Sequence, residues 1–136
     1  MTSDNNWIYI GIFLDDSSRT ILKGITSQII DNNWKMYCHH MTIAFNDNTD
    51  RALSIYYQYK DYFGAKTEIT ATHIGISEDA LAVKVDFKGM TANKVPHITL
   101  ATPIGGKPVN SNHITEWHTL DKPIKLTGTI SQFKGK

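Results

Sequence analysis

Apolar and polar positions follow two rhythms along this chain, and the change between them divides it. Residues 7–14, WIYIGIFL, form a β-branched and aromatic run that predicts a buried strand. Asp15, Asp16 and Ser17 then supply helix N-cap types. Ile21, Leu22, Ile25, Ile29 and Ile30 follow at helical spacing, which predicts an amphipathic helix over 17–30. The polar run 31–35 ends it. Residues 37–45, YCHHMTIAF, predict a second strand. Leu53, Tyr56, Tyr57 and Phe63 predict a second helix over 50–63, capped by Asp47, Asn48 and Thr49 and stopped by Gly64.

The second half alternates with a period of two. Residues 66–76 and 81–87 predict strands joined by a polar turn, and 95–102, VPHITLAT, predict another. The Pro/Gly segment 103–112 reads as a loop leading into a short helical turn, and 123–133 as a last strand. The order β-α-β-α followed by mainly β predicts an α+β sheet protein. A length of 136 residues fits one domain spanning 1–136.

Composition narrows the function classes. Apolar residues make up 40% and charged residues 20%, a globular rather than a disordered balance. The formal net charge is +1, and no basic stripe stands out, so a small or short substrate is expected rather than a long duplex. Cys38 is the only cysteine, which excludes an internal disulfide and a four-cysteine zinc site. The opening MTSDNNWIYIGIF has no basic leader, and no apolar run is long enough for a membrane span. A monomeric protein in a reducing cytoplasm, away from membranes, is expected.

Candidate chemistry lies in a weak internal repeat. His40-Met41-Thr42-Ile43-Ala44 and His97-Ile98-Thr99-Leu100-Ala101 both read His, apolar, Thr, apolar, Ala, each within a predicted strand. Side chains alternate along a strand, so His40 and Thr42 share one face, and His97 and Thr99 another. Two such strands side by side would line a groove with imidazoles and hydroxyls. Displacement at phosphorus needs a proton removed from the nucleophile and one delivered to the leaving oxygen. An imidazole with a pKa near 6.5 can do either near neutrality. Threonine hydroxyls can donate to the non-bridging oxygens, where charge builds. A single such His is ordinarily a packed or surface residue; two copies in matched strands are far less easily accidental. A third copy, His113-Ile114-Thr115, sits in polar surroundings and reads as a loop or capping segment.

The paired motifs resemble those of the two-histidine phosphoesterases, the LigT-like and cyclic-phosphodiesterase proteins. The likeness covers most of the chain. WIYIGIFLDDSSRTIL is similar to the family's opening strand and helix, and HITLATPIGGKPVNSN resembles the second-motif region of cyclic-phosphodiesterase domains in tRNA ligases. The resemblance implies two pseudo-symmetric lobes of antiparallel-rich sheet, helices on the outer faces and a central cleft. It also implies a metal-independent phosphodiesterase without cofactor. His40 and His97 would be acid and base, and Thr42 and Thr99 would bind phosphate. Implied substrates are a 2′,3′-cyclic phosphate end, a 2′,5′-linked oligonucleotide or a cyclic nucleotide signal. Small members occur in viruses, where destroying a host immune nucleotide is a plausible task. The motifs lie 57 residues apart in a chain shorter than many relatives, so trimmed loops or a missing second-lobe helix are expected.

Neighbouring residues are weighed by the same rules. Tyr9, Trp34, Tyr37 and Phe45 are candidates to stack on a base. In Gly105-Gly106-Lys107 the glycines permit close approach to phosphate and the lysine adds charge, although a plain turn is the more ordinary reading. His39 has the opposite parity to His40 and is expected to face away. Adjacent strand residues diverge, and no carboxylate cluster completes a shell, so no metal site is expected. Cys38 shares the parity of His40 and reads as a buried, inert thiol. The tyrosines at 56, 57, 59 and 62 read as helix packing. Two other functions remain: a non-catalytic nucleotide or RNA-binding module on the same fold, and an unrelated α+β protein with incidental histidines.

Overall fold

A computed structural model describes residues 6–134. The expectation of a chain without a leader falls largely on residues 1–5, and both ends of the 1–136 unit lie outside the described residues. Strand β1 (Tyr9–Leu14) leads into helix α1 (Asp16–Ser27), then β2 (Trp34–Met36), β3 (His40–Phe45) and helix α2 (Asp50–Tyr59). The remainder is β4 (Lys66–Ile76), β5 (Leu81–Asp86), β6 (His97–Pro103) and the long β7 (Trp117–Phe133). Short 3-10 helices occupy Lys60–Tyr62 and Pro108–His113. The strands form an antiparallel sheet in the order β2-β6-β3-β1-β7-β4-β5, and a further β6–β5 pairing closes six of them into a barrel, with β2 outside the ring.

The α+β class follows the hydrophobic pattern, but several boundaries move. The strand expected over 37–45 is broken. Tyr37 and Cys38 still donate backbone N–H bonds to Leu100 and Thr99, so the chain from β2 to β3 tracks β6 with an interruption at Cys38. The strand expected from 123 starts at Trp117, because pairing with β4 extends that far. Both helices end before the positions that helical spacing suggested, at Ser27 and Tyr59.

Helix α1 buries Ser18, Leu22 and Thr26, one residue per turn, and leaves Ile21 and Ile29 exposed. Thr26 fits because its hydroxyl donates to the Leu22 carbonyl at 2.7 Å. Asp15 caps the helix by accepting from the Ser18 N–H at 3.0 Å, and the Thr127 hydroxyl of β7 donates to the same carboxylate. Helix α2 buries Ala52, Ile55, Tyr56 and Tyr59, while Tyr57 and Tyr62 are exposed. The tyrosine cluster is thus divided, two rings inward and two outward. Leu22 and Ile55 pack with Ile10, Ile12, Met41, Ile43, Ile98, Leu100 and Leu126 into one core. Each such side chain contributes roughly 1.5–3 kcal/mol by leaving water. The helices cover the apolar face of the sheet, which leaves the opposite face of β1, β3 and β6 for other work. Among the described residues, no helix is long and apolar enough to cross a membrane.

Candidate active site

Strands β3 and β6 run antiparallel, with Met41 paired to Ile98. Carried one residue either way, that register sets His40 opposite Thr99 and Thr42 opposite His97. Each imidazole therefore stands across from the hydroxyl of the other motif. Met41, Ile43, Ile98 and Leu100 are buried against the helices, so alternation turns His40, Thr42, His97 and Thr99 to the other face. All four line one cavity of about 470 Å³, within the range of small-molecule sites.

His40 is walled by aromatic rings. Tyr9 stacks on it at 4.8 Å and Phe13 at 5.6 Å between ring centres. Tyr9 also stacks with Phe133 at 5.1 Å and meets Phe45 at 5.6 Å. Cross-strand pairing produces the wall: Tyr9 lies opposite Phe45 on β3 and Phe133 on β7, and Phe13 lies opposite His40. A bulge between Ile10 and Gly11 adjusts β1 beneath the motif. A Cβ at Gly11 would come within 2.8 Å of the Met41 carbonyl oxygen, so glycine is what allows β1 to approach this closely.

The wall has an electrostatic consequence. Burial, with repulsion from His39 and then His97, pushes the His40 pKa down to about 4. His40 is therefore a neutral imidazole at pH 7. Its Nε2 lies 3.2 Å from the Thr42 hydroxyl, and its Nδ1 lies 3.0 Å from Nδ1 of His39. One of those two Nδ1 atoms carries a proton and the other accepts it.

His97 is held differently. Its Nδ1 lies 2.8 Å from the Val95 carbonyl oxygen, which can only accept. Nδ1 therefore carries a proton, and Nε2 remains for a substrate. Burial lowers its pKa, and the Val95 carbonyl opposes that shift by stabilising the imidazolium. The Thr99 hydroxyl lies 3.2 Å from the Pro108 carbonyl and 2.8 Å from the Ser111 hydroxyl, which ties the Pro108–His113 turn to β6.

Two expectations about the histidine pair require correction. His39 does not face away: it lines the cavity beside His40. Cys38 does not share the face of His40: it is fully buried, with Sγ 3.4 Å from the Thr26 hydroxyl under α1. The cause is the backbone of Cys38, whose φ of 51° lies in the left-handed region and breaks strand alternation. Burial also pushes the Cys38 thiol pKa up, which keeps it protonated and unreactive.

Tyr9, Tyr37, Phe45 and Lys107 line the cavity as well, whereas Trp34 packs against the core. Gly105, at φ 90°, forms the turn that delivers Lys107. Ile114 of the third His-x-Thr copy is buried in a small apolar cluster with Ala80 and Ala82. Sequence reasoning missed Asn93, Pro108, Val109 and Asn112, which also line the cavity. They come from aperiodic segments. The loop bearing Asn93 is held by the Ala92 N–H on the Ile43 carbonyl and by the Tyr59 hydroxyl on the Met90 carbonyl. Among the described residues, no Asp or Glu lines the cavity, and its charged and titratable groups include imidazoles and Lys107. Such a lining favours an anion. Among the described residues, no group of three or more His, Cys, Asp or Glu is placed to hold a metal ion.

No family model matches the chain, and no curated protein matches it. Its fold is similar to that in the crystal structure of TT0787 of Thermus thermophilus, with a TM-score of 0.52 and 14% identity over 96% of this chain and 99% of that one. At that identity the likeness concerns the fold alone.

Proposed function

We propose that the protein is a metal-independent phosphodiesterase of the two-histidine type, acting on a cyclic or RNA-type phosphodiester. The observation that carries this reading is the convergence of His40, Thr42, His97 and Thr99 on one acid-free cavity. In this reading the two motif strands are paired neighbours, one from each of two pseudo-symmetric lobes, and the cavity is the cleft above their shared face. A reducing, cytoplasmic setting suits the buried thiol of Cys38.

The unequal environments assign the roles. His40, neutral at pH 7, is the general base and takes the proton of the attacking hydroxyl or water. His97 is the general acid, and its Nε2–H delivers a proton to the leaving oxygen. The Thr42 hydroxyl and Lys107 stabilise the non-bridging oxygens as charge accumulates there. Thr99 joins them by exchanging its Pro108 contact for phosphate. An anionic substrate also raises the pKa of both imidazoles, moving the weakly basic His40 toward its working range.

The test is turnover of 2′,3′-cyclic nucleotides, 2′,5′- and 3′,5′-linked dinucleotides and bis(4-nitrophenyl) phosphate in the presence of EDTA. Chelator-resistant turnover with a bell-shaped pH profile is expected. Tight binding without turnover would favour the nucleotide-binding module, a reading that draws on the prior engagement of Thr99 with Pro108 and Ser111. Neither binding nor turnover would leave the histidines incidental.

A further inference from the structure

The two motif histidines are held by different kinds of partner, and one of those partners can change roles. Nδ1 of His97 meets a carbonyl oxygen, which accepts at every pH. Nδ1 of His40 meets another imidazole, through Nδ1 of His39 at 3.0 Å, with the two rings at 84° to each other. An imidazole nitrogen accepts when bare and donates when protonated. The neighbour of His40 therefore decides which of its own nitrogens is free.

The pair is built into the fold. The Cys38 N–H donates to the Thr99 carbonyl, Nε of Arg19 on α1 donates to the Cys38 carbonyl at 3.3 Å, and the Leu14 N–H of β1 donates to the His39 carbonyl at 3.1 Å. These bonds hold the left-handed residue Cys38, which brings two adjacent histidines to one cavity. The Phe13 ring of β1 meets the His39 ring edge-on at 5.7 Å. The charged and titratable groups around the pair are Arg19 and Lys23 on α1, with His97, Lys107, Tyr9 and Tyr37 in the cavity lining. Among the described residues no Asp or Glu joins them there. Burial, and then the Arg19 charge, hold the His39 pKa below its ordinary value, so at pH 7 His39 is neutral and able to accept.

We infer that His39 is a positioning residue that switches the proposed base: neutral, it accepts the Nδ1–H of His40 and leaves Nε2 bare; charged, it donates to Nδ1 and confines the His40 proton to Nε2. This rests on the proposed phosphodiesterase reading and adds a proton switch to it. In the neutral state Nε2 of His40, 3.2 Å from the Thr42 hydroxyl, is free to take the proton of the attacking oxygen. The imidazolium so formed keeps its Nδ1–H on His39, and that bond strengthens with charge. On acidification one proton enters the pair at Nε2 of His40, while the Nδ1 proton passes to His39, the more exposed ring. His40 is then neutral but has no bare nitrogen facing the substrate. A single proton shared by the pair thus stops catalysis, before both rings are charged.

Nitrogen-15 imidazole spectra of the full chain, assigned with single-histidine variants, report which nitrogen of His40 carries its proton. Nδ1–H is expected at neutral pH and Nε2–H once the pair has taken up a proton. His39→Asn supplies an amide oxygen that accepts but takes no charge. It should keep His40 in the Nδ1–H form until His40 itself charges, and move the acidic limb of kcat/KM to lower pH. His39→Ala leaves no acceptor and should lower kcat about 10-fold with KM nearly unchanged, a loss that His39→Asn partly restores. A wild-type His40 that carries Nε2–H at neutral pH, or an acidic limb that His39→Asn leaves in place, overturns this inference and leaves the phosphodiesterase reading standing. No turnover of any ester by the wild-type protein overturns both.

Discussion

The two His-x-Thr strands carry the same letters and sit in one sheet, yet they present chemically different histidines. His40 is sandwiched by rings from β1, and side chains meet both of its nitrogens. Among the described residues no aromatic ring stacks on His97, and a backbone carbonyl fixes its proton on Nδ1. Among the described residues the Thr42 hydroxyl meets only its own histidine, whereas Thr99 holds down a turn. A repeated motif therefore sets positions, and its surroundings set protonation. In the proposed reading a base and an acid are drawn from one sequence pattern, because His40 is walled by rings while the Val95 carbonyl favours the imidazolium of His97.

Removing either imidazole breaks the comparison most severely. His40→Ala and His97→Ala should each lower kcat by roughly 10²–10⁴-fold, with the double variant little worse than the poorer single one. Steady-state turnover with circular dichroism as a fold control measures this. Stability against pH tests the asymmetry without any substrate. The folded pKa of His40 lies below its unfolded value of 6.5, so the unfolded chain takes up a proton that the folded chain refuses. The associated stability is fully present above pH 6.5 and is lost as pH falls toward about 4. It amounts to about 3 kcal/mol at most. Denaturant melts of wild type and His40→Gln over that window should converge at low pH; parallel curves would refute the depressed pKa.

Smaller perturbations sharpen the contrast. Gly11→Ala forces a methyl against the Met41 carbonyl and should cost about 1–3 kcal/mol, with a fall in kcat rather than a rise in KM. His39→Ala frees Nδ1 of His40 and should shift the acidic limb of the pH–rate profile, with about a 10-fold loss in rate and partial rescue by His39→Asn. Ser111→Ala removes one of Thr99's partners and should cost about 1 kcal/mol in stability while leaving the acidic limb in place.

Much of this architecture was legible in the sequence, for reasons that particular residues explain. The β4 boundaries, 66–76, follow from the strand-like composition and alternation on either side of a register shift between Ala71 and His73, and the facing of Thr42 and Thr99 follows from the period of two. His39 was misplaced because parity arguments assume extended backbone at every position, and Cys38 departs from it without being Gly, Asn or Asp. Ile21 was assigned to the core by helical spacing, but tertiary packing chose the stripe through Ser18, Leu22 and Thr26. Barrel closure depends on the β5–β6 pairing, between strands joined by a polar loop whose composition does not specify what it reaches. Asn93 and Asn112 were invisible for the same reason.

The seam between β3 and β6 is thinly stitched. A single residue pair, Met41 with Ile98, defines its ladder, while β1–β7 and β4–β7 are paired along six and nine positions. The two histidines thus straddle the loosest join in the closed wall. If the proposed reading holds, small splaying of that join would let the gap between them adjust to phosphorus centres of differing girth. An anion gripped from both sides becomes a clasp across it. Slower amide exchange at Tyr37 and Cys38 on adding inorganic phosphate, with β4 and β7 unaffected, is the signature such a clasp leaves.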